Sequence, residues 1–171
     1  MAFLVEDGTG LASATSGASV TEADAYFTDR AVTAWTGTTG VKQAALIRAT
    51  DYIELRFALY FKGTMQFPLT PQALSFPRLD ENGITTGIPV AYKRAVFEYA
   101  VRALSSVLAP DPTVSASGLS LTSELHTIGP ITDSFTYAKA GAGSAPSLFK
   151  PYPAADRLLT PLLRGSSGVI R

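Results

Sequence analysis

This chain of 171 residues has one histidine, His126, and no cysteine, so it offers little reactive chemistry. His126 falls in a strand-like segment with no nucleophile or orienting acid placed beside it. It reads as a partly exposed packing residue, not a general base. A single His also rules out a His-based metal cluster, and the lack of Cys removes thiol catalysis, disulfides and the common zinc sites. Asp80-Glu81 is a carboxylate pair in a polar loop, read as solvated, with an all-carboxylate cation site as the other reading. Gly8-Thr9-Gly10 and Gly141-Ala142-Gly143 lack the P-loop form and the strand-to-helix context of a dinucleotide fingerprint. These features lead us to expect no enzyme activity, no cofactor and no metal.

Nucleic-acid chemistry is the next class to weigh. Lys+Arg number 14 and Asp+Glu 14, for zero net charge. Gripping phosphates needs clustered cations. Between residues 19 and 108 the cations at 30, 42, 48, 56, 62, 78, 93, 94 and 102 interleave with acids at 22, 24, 29, 51, 54, 80, 81 and 98. Lys93-Arg94 is the one adjacent basic pair in that stretch, and Glu98 lies about a turn away. Trp35, Tyr60, Phe61, Phe67 and Phe76 could stack bases, but such aromatics also anchor cores and loops.

The composition is 46% hydrophobic and 16% charged, which fits a folded chain able to bury a core without staples. With so few charges, much of the surface must be Ala, Ser, Thr and Gly, or be covered by a partner. Met1 to Leu11 lacks the basic and apolar pattern of a signal peptide, and no apolar run reaches membrane-span length. These features fit an intracellular origin and no membrane partner.

Helical elements dominate the first two thirds. Residues 1–18 read as a Gly/Ser/Thr-rich N-terminal arm. Ser19-Val20-Thr21-Glu22 has capping-box form, and Val20, Ala23, Phe27 and Ala31 continue at helical spacing to about Ala34. A second amphipathic helix spans about Val41 to Phe57, with Leu46, Ala49, Ile53 and Phe57 as its stripe. Thr70 to Leu74 reads as one helical turn, and Leu79 to Gly87 as a loop turning at Asn82-Gly83. The longest helix opens at Pro89 and runs to about Leu108. One apolar row is Val96, Ala100, Ala103 and Val107, and the next is Phe97, Val101, Leu104 and Leu108.

The period then changes to two. Leu119, Leu121 and Leu125, then Ile131, Phe135 and Tyr137, alternate with polar residues around Gly129-Pro130. That pattern predicts a hairpin over 119–137, too weak to stand alone. Ala140 to Ala145 is a linker. A last short helix spans Pro153 to Leu163, kinked or split at Pro161, with a flexible tail beyond. The fold class is mainly α: a small helical bundle with a β-hairpin and a short C-terminal helix plus flexible tail. The expected organisation is an arm 1–18, a helical body 19–108, a hairpin and linker 109–147, and a C-terminal helix and docking tail 148–171.

Several segments, in order, resemble one family. Val5-Glu6-Asp7-Gly8-Thr9-Gly10-Leu11 and Ser19 to Phe27 resemble the start of a tailed-phage head–tail connector family. Leu46 to Ile53 resembles its second helix. Gln72-Ala73-Leu74-Ser75-Phe76-Pro77-Arg78 resembles its Gln-Ala-Leu-x-Trp/Phe-Pro-Arg segment, with Phe76 where Trp is commoner. Ile88-Pro89-Val90-Ala91-Tyr92-Lys93-Arg94-Ala95-Val96 is similar to its Ile-Pro helix start, with Tyr92 where a small aliphatic residue is usual. Ile128 to Ile131 and Tyr152 to Leu159 match later segments.

Members of this group carry two labels, DnaT-like single-stranded-DNA-binding protein and head-completion or head–tail adaptor. The adaptor label implies a homo-oligomeric ring, usually a dodecamer, beneath the portal protein in the virion neck. Its subunits would be made in the host cytoplasm. Such a ring extends the DNA channel and docks the stopper or tail, and genomic DNA crosses its lumen without specific binding. A neutral chain suits a conduit better than a DNA grip. Under this reading Leu158, Leu159, Leu162 and Leu163 are candidate interface anchors, with Val169 and Ile170 as a capture point. Leu125, Phe135 and Tyr137 are candidates on the hairpin. The alternative for the last helix is docking on its own chain.

Overall fold

The computed structural model describes residues 2–67, 71–110, 123–128, 131–136 and 150–164. Two compact units form: Met1–Leu108 with Pro151–Arg171, and Ala109–Lys150. The architecture is mainly α, with small antiparallel strand pairs.

The first unit holds α1 (Val20–Thr28), α2 (Thr39–Phe57), α3 (Val90–Ala103) and α4 (Pro153–Leu159). The Ser19/Glu22 capping box starts α1 as its spacing predicts, with both reciprocal bonds made. Thr38 caps α2 by accepting from the Val41 amide. The core lies where α2 and α4 pack on α3. Small residues there, Ala45, Ala49, Ala95 and Ala100, are wholly buried and let helix axes approach closely. Leu46, Ile53 and Val96 fill the same layer, each at 0% exposure. Burying each such side chain stabilises the fold by about 1.5–3 kcal/mol. Tyr52, Tyr99 and Tyr152 then pack together in tilted and edge-to-face contacts, with centroids 5.0 Å (Tyr52–Tyr99), 5.8 Å (Tyr99–Tyr152) and 6.0 Å (Tyr52–Tyr152) apart.

The segment between α2 and α3 is tightly built. A 3-10 turn (Ala58–Tyr60) leads to β1 (Thr64–Met65), which pairs antiparallel with β2 (Arg78–Leu79). The Phe76–Pro77 peptide is cis. Gly63 has φ +72, and a Cβ there would lie 2.0 Å from the Leu79 carbonyl oxygen, so this approach requires glycine. Residues 2–18 pack on the helices. Val5 bridges Ser16, the Gly17 amide donates to Thr50 Oγ1, and the Tyr92 ring packs so close to Gly17 that a Cβ there would lie 2.4 Å from it.

In the second unit β3 (Ser123–Ile128) and β4 (Ile131–Thr136) pair antiparallel, with Ile128 opposite Ile131. The pairing runs up to Ile128 and Ile131, on either side of the Gly129-Pro130 that the alternation marks. Leu119, Leu121, Tyr137 and the linker lie outside the described residues.

Three local expectations are corrected, and one is met. α1 stops at Thr28, well short of Ala34, in a Schellman turn: Val32 N–H donates to Phe27 O and Ala31 N–H to Thr28 O. Ala31 takes φ +51 there, and it is exposed instead of joining the stripe. α3 ends at Ala103, not Leu108, because the Ser105 and Ser106 hydroxyls both donate back to the Arg102 carbonyl. Val107 is consequently 68% exposed, while Leu108 is buried. Pro71 to Leu74 forms no helical turn, because the Gln72 side chain binds the local main chain instead. At the last helix, α4 ends at Leu159 and a 3-10 turn (Thr160–Leu162) restarts at Pro161, the split that the proline foretells.

Candidate functional site

Two arrangements in the first unit merit the name of a candidate site. The first is an internal clasp around residues 61–79. The Arg78 guanidinium is buried and donates to four main-chain carbonyls, those of Lys62 (2.7 Å), Gly63 (2.8 Å), Ser75 (3.3 Å) and Phe61 (3.4 Å). Arg164 donates to two of the same acceptors, Phe61 O at 3.1 Å and Gly63 O at 3.3 Å. Burial, then the neighbouring Arg164 cation, lowers the Arg78 pKa from its ordinary value, with Glu54 opposing. Gln72 accepts from Phe67 N–H and donates to the Leu74 and Pro77 carbonyls. Glu54 on α2 accepts from the Ser75 amide (3.1 Å), the Ser75 hydroxyl and the Tyr92 phenol (2.8 Å). Complete burial, then the Glu54 carboxylate, holds the Tyr92 phenol well above its ordinary pKa.

These partners define the chemistry of the clasp. Every polar group named is already paired within the chain, the Ser75 hydroxyl with the Glu54 carboxylate included. Gln72, Ser75 and Arg78, which carry much of the motif resemblance, build architecture. Asp156 of the Tyr152-to-Leu159 motif does the same. It accepts from Arg56 at 3.1 and 3.3 Å, from the Tyr99 phenol, and from Tyr152 N–H at 3.1 Å. Burial, then the bond to Asp156, raises the Tyr99 pKa far above the tyrosine range.

The second arrangement is an open groove of about 490 Å³ between α1 and the start of α3. The Arg30 guanidinium lies over the Tyr26 ring, 3.7 Å from its centroid, and also donates to Tyr26 O. Lys93 pairs with Glu22 at 2.5 Å, and Arg94 is exposed. Tyr26 OH donates to Glu98 Oε1 at 2.9 Å, and Arg102 pairs with Glu98 at 3.0 Å. A cation stacked on an aromatic ring suits a planar anionic ligand. Glu22 and Asp29 on the same wall oppose it. Tyr26 and Arg30 were not singled out from the sequence, though their spacing of four on one helix was a readable signal.

The sequence-derived candidates fall in different places. Leu159 is wholly buried in its own unit, while Leu158, Leu162 and Leu163 are half-buried. α4 does dock on its own chain, through Leu159, Ala155 and the Asp156 network. Leu125 pairs with Ser134 and Phe135 with Glu124 in the strand register. Val169, Ile170 and Tyr137 lie outside the described residues. Of the five aromatics weighed for stacking, Trp35, Phe61 and Phe76 are buried, Phe67 is half-buried and Tyr60 is exposed. His126 sits opposite Asp133 in the strand register. Asp80 caps its own loop by accepting from the Asn82 and Ile84 amides at 2.8 Å, while Glu81 is exposed.

Among the described residues no helix is long and apolar enough to cross a membrane. No curated protein and no solved structure matches the chain. A family match covers all of it, residues 1–171. On that match the chain belongs to the family described as "Putative DnaT-like ssDNA binding protein".

Proposed function

We propose that the protein is a structural adaptor subunit, binding other protein chains beside a path taken by DNA. The observation that carries this is the commitment of its cations. Lys42, Arg56, Lys93 and Arg102 are paired with carboxylates. Arg30, Arg48, Lys62, Arg78 and Arg164 donate to main-chain carbonyls. Phosphate affinity comes from cations free to displace condensed counterions. With four cations neutralised by carboxylates, five more held by main-chain carbonyls and zero net charge, the chain has little free positive charge to give, which suits a subunit that lets DNA pass. In its fuller form the proposal is a phage head–tail adaptor: a ring, dodecameric by the resemblance, between portal and stopper or tail in the virion neck.

Single-stranded-DNA binding is the second reading. Family membership favours it, and no comparison speaks to the adaptor role. The α1–α3 groove, with Arg30 on Tyr26 and Arg94 exposed, is where such binding would occur.

Fluorescence anisotropy with labelled oligonucleotides separates the two. The adaptor reading expects at most non-specific affinity, a Kd of about 10⁻⁴–10⁻⁶ M at physiological salt. Tighter, salt-sensitive binding that drops in Arg30→Ala and Arg94→Ala would establish the second reading. The adaptor proposal itself is tested by locating the chain in micrographs of purified phage necks. Its absence from the neck would overturn the proposal.

A further inference from the structure

The loop between β2 and α3 carries a tip that is both acidic and apolar. Asp80 Oδ1 accepts from the Asn82 and Ile84 amides at 2.8 Å, and Asp80 N–H donates to Ile84 O at 2.9 Å. At the base of the tip Leu79 bridges Thr85, and Thr86 N–H donates to Arg78 O at 2.8 Å. Residues 80–84 are thus held in one shape before anything binds, so little ordering entropy is lost on contact. They present the exposed Glu81 carboxylate and the Ile84 side chain, which is 63% exposed.

The groove between α1 and the start of α3 has the complementary make-up. Lys93 and Glu22 cancel each other, which leaves Arg30 and Arg94 against Asp29. Arg94 is exposed and has no carboxylate partner among the described residues, while the Tyr26 ring and carbonyl already orient the Arg30 guanidinium. An oriented guanidinium suits a carboxylate, which it can meet with two parallel N–H bonds. The groove also has an apolar side, lined by Ile88 and by Val90 at 62% exposure. A phosphate backbone would leave that side unmet. A loop with a carboxylate and a branched side chain three residues apart meets both. The chain does not bring its own loop there: none of residues 80–87 lines the groove, and Asp80, Glu81 and Asn82 border a different cavity with Pro89.

We infer that the 80–84 loop of one copy docks in the α1–α3 groove of a second copy of this chain. Glu81 meets Arg30 and Arg94, and Ile84 meets Ile88 and Val90. The contact is made twice in a two-fold pair, or once per neighbour in a closed ring. It is small and partly electrostatic, so the association is weak and weakens further in salt. This inference rests on neither the adaptor reading nor the DNA-binding reading, and it assigns the groove to protein instead of nucleic acid.

Sedimentation of the full chain over a concentration series, with no nucleic acid present, tests it. The unaltered chain should self-associate reversibly, and less so as salt is added. Glu81→Arg and Arg94→Glu each set like charges against one another, and each should weaken association about tenfold or more. Both positions are exposed, so the helical body stays folded, as circular dichroism would check. Mixing the two variants should restore association, because the reversed loop of one then faces the reversed groove of the other. An unaltered chain that stays monomeric up to about 1 mM would overturn the inference. So would association indifferent to either reversal, or a mixture that associates no better than each variant alone. Oligonucleotide binding by a chain that stays monomeric would overturn it too, while leaving the DNA-binding reading intact.

Discussion

α2 is tied down at both ends by a carboxylate–cation pair, and the two ties differ in kind. At its start Lys42 meets Asp24 of α1 at 2.8 Å, and the Trp35 indole N–H donates to the same oxygen at 2.6 Å. The Asp24 side chain there is 45% exposed. At its end Arg56 forks onto both oxygens of Asp156, which also receives the Tyr99 phenol and the Tyr152 amide. Those two side chains are only 21% and 23% exposed. The first tie links residues 18 apart, the second residues 100 apart. A local, solvated pair mostly cancels charge. A distant carboxylate with several donors fixes where a returning chain segment must sit.

The comparison can be broken at Asp156 first. Asp156→Ala leaves Arg56, Tyr99 and the Tyr152 amide without their acceptor, and should cost about 2–3 kcal/mol in urea unfolding. A loss equal to that of Asp24→Ala would erase the distinction. The second test is alkaline pH. The folded state holds the Tyr99 proton more tightly than the unfolded chain, where the phenol titrates near 10. Stability should thus be complete below pH 10 and decline as pH rises beyond it, and Tyr99→Phe should flatten that decline. Arg56→Lys keeps the charge but loses the fork, so about 1–2 kcal/mol should go, seen as a lower denaturation midpoint.

Smaller effects sharpen the other end. Ala31 holds the left-handed position of the Schellman turn after α1, so Ala31→Gly should raise stability by about 0.5–1 kcal/mol in the same unfolding assay. Lys42→Ala should cost about 0.5 kcal/mol or less, and the cost should shrink in added salt. A double-mutant cycle should give Arg56/Asp156 a larger coupling than Lys42/Asp24.

What the sequence showed and what it hid follow from the range of the interactions. The Ser19/Glu22 box, the Leu46–Ala49–Ile53 stripe and the pairing of Ile128 with Ile131 depend on neighbours a few residues away, and all were legible. Ala31 and Val107 were misplaced because apolar spacing continued past the point where a local turn ended the helix. The Arg78 clasp was less legible. Its four acceptors are main-chain carbonyls, which every residue carries, so no side-chain pattern announces them. Asp156 was similarly opaque, because Arg56 and Tyr99 reach it only after the chain has returned to the body. The α1–α3 groove depended on a stacking pair with readable spacing, Tyr26 and Arg30, that the charge interleaving obscured.

The chain leaves the body at Leu108 and re-enters at Tyr152, and the Tyr152 phenol donates to the Leu108 carbonyl at 3.3 Å. Exit and entry thus share one point in the first unit, and residues 109–150 are an insertion between them. Doubling the length of a flexible loop costs only about 0.6 kcal/mol in closure entropy. The inserted unit can therefore lengthen, shrink or be exchanged at little cost to the helices that hold its ends. A fold of this kind can vary this insertion without rebuilding its core.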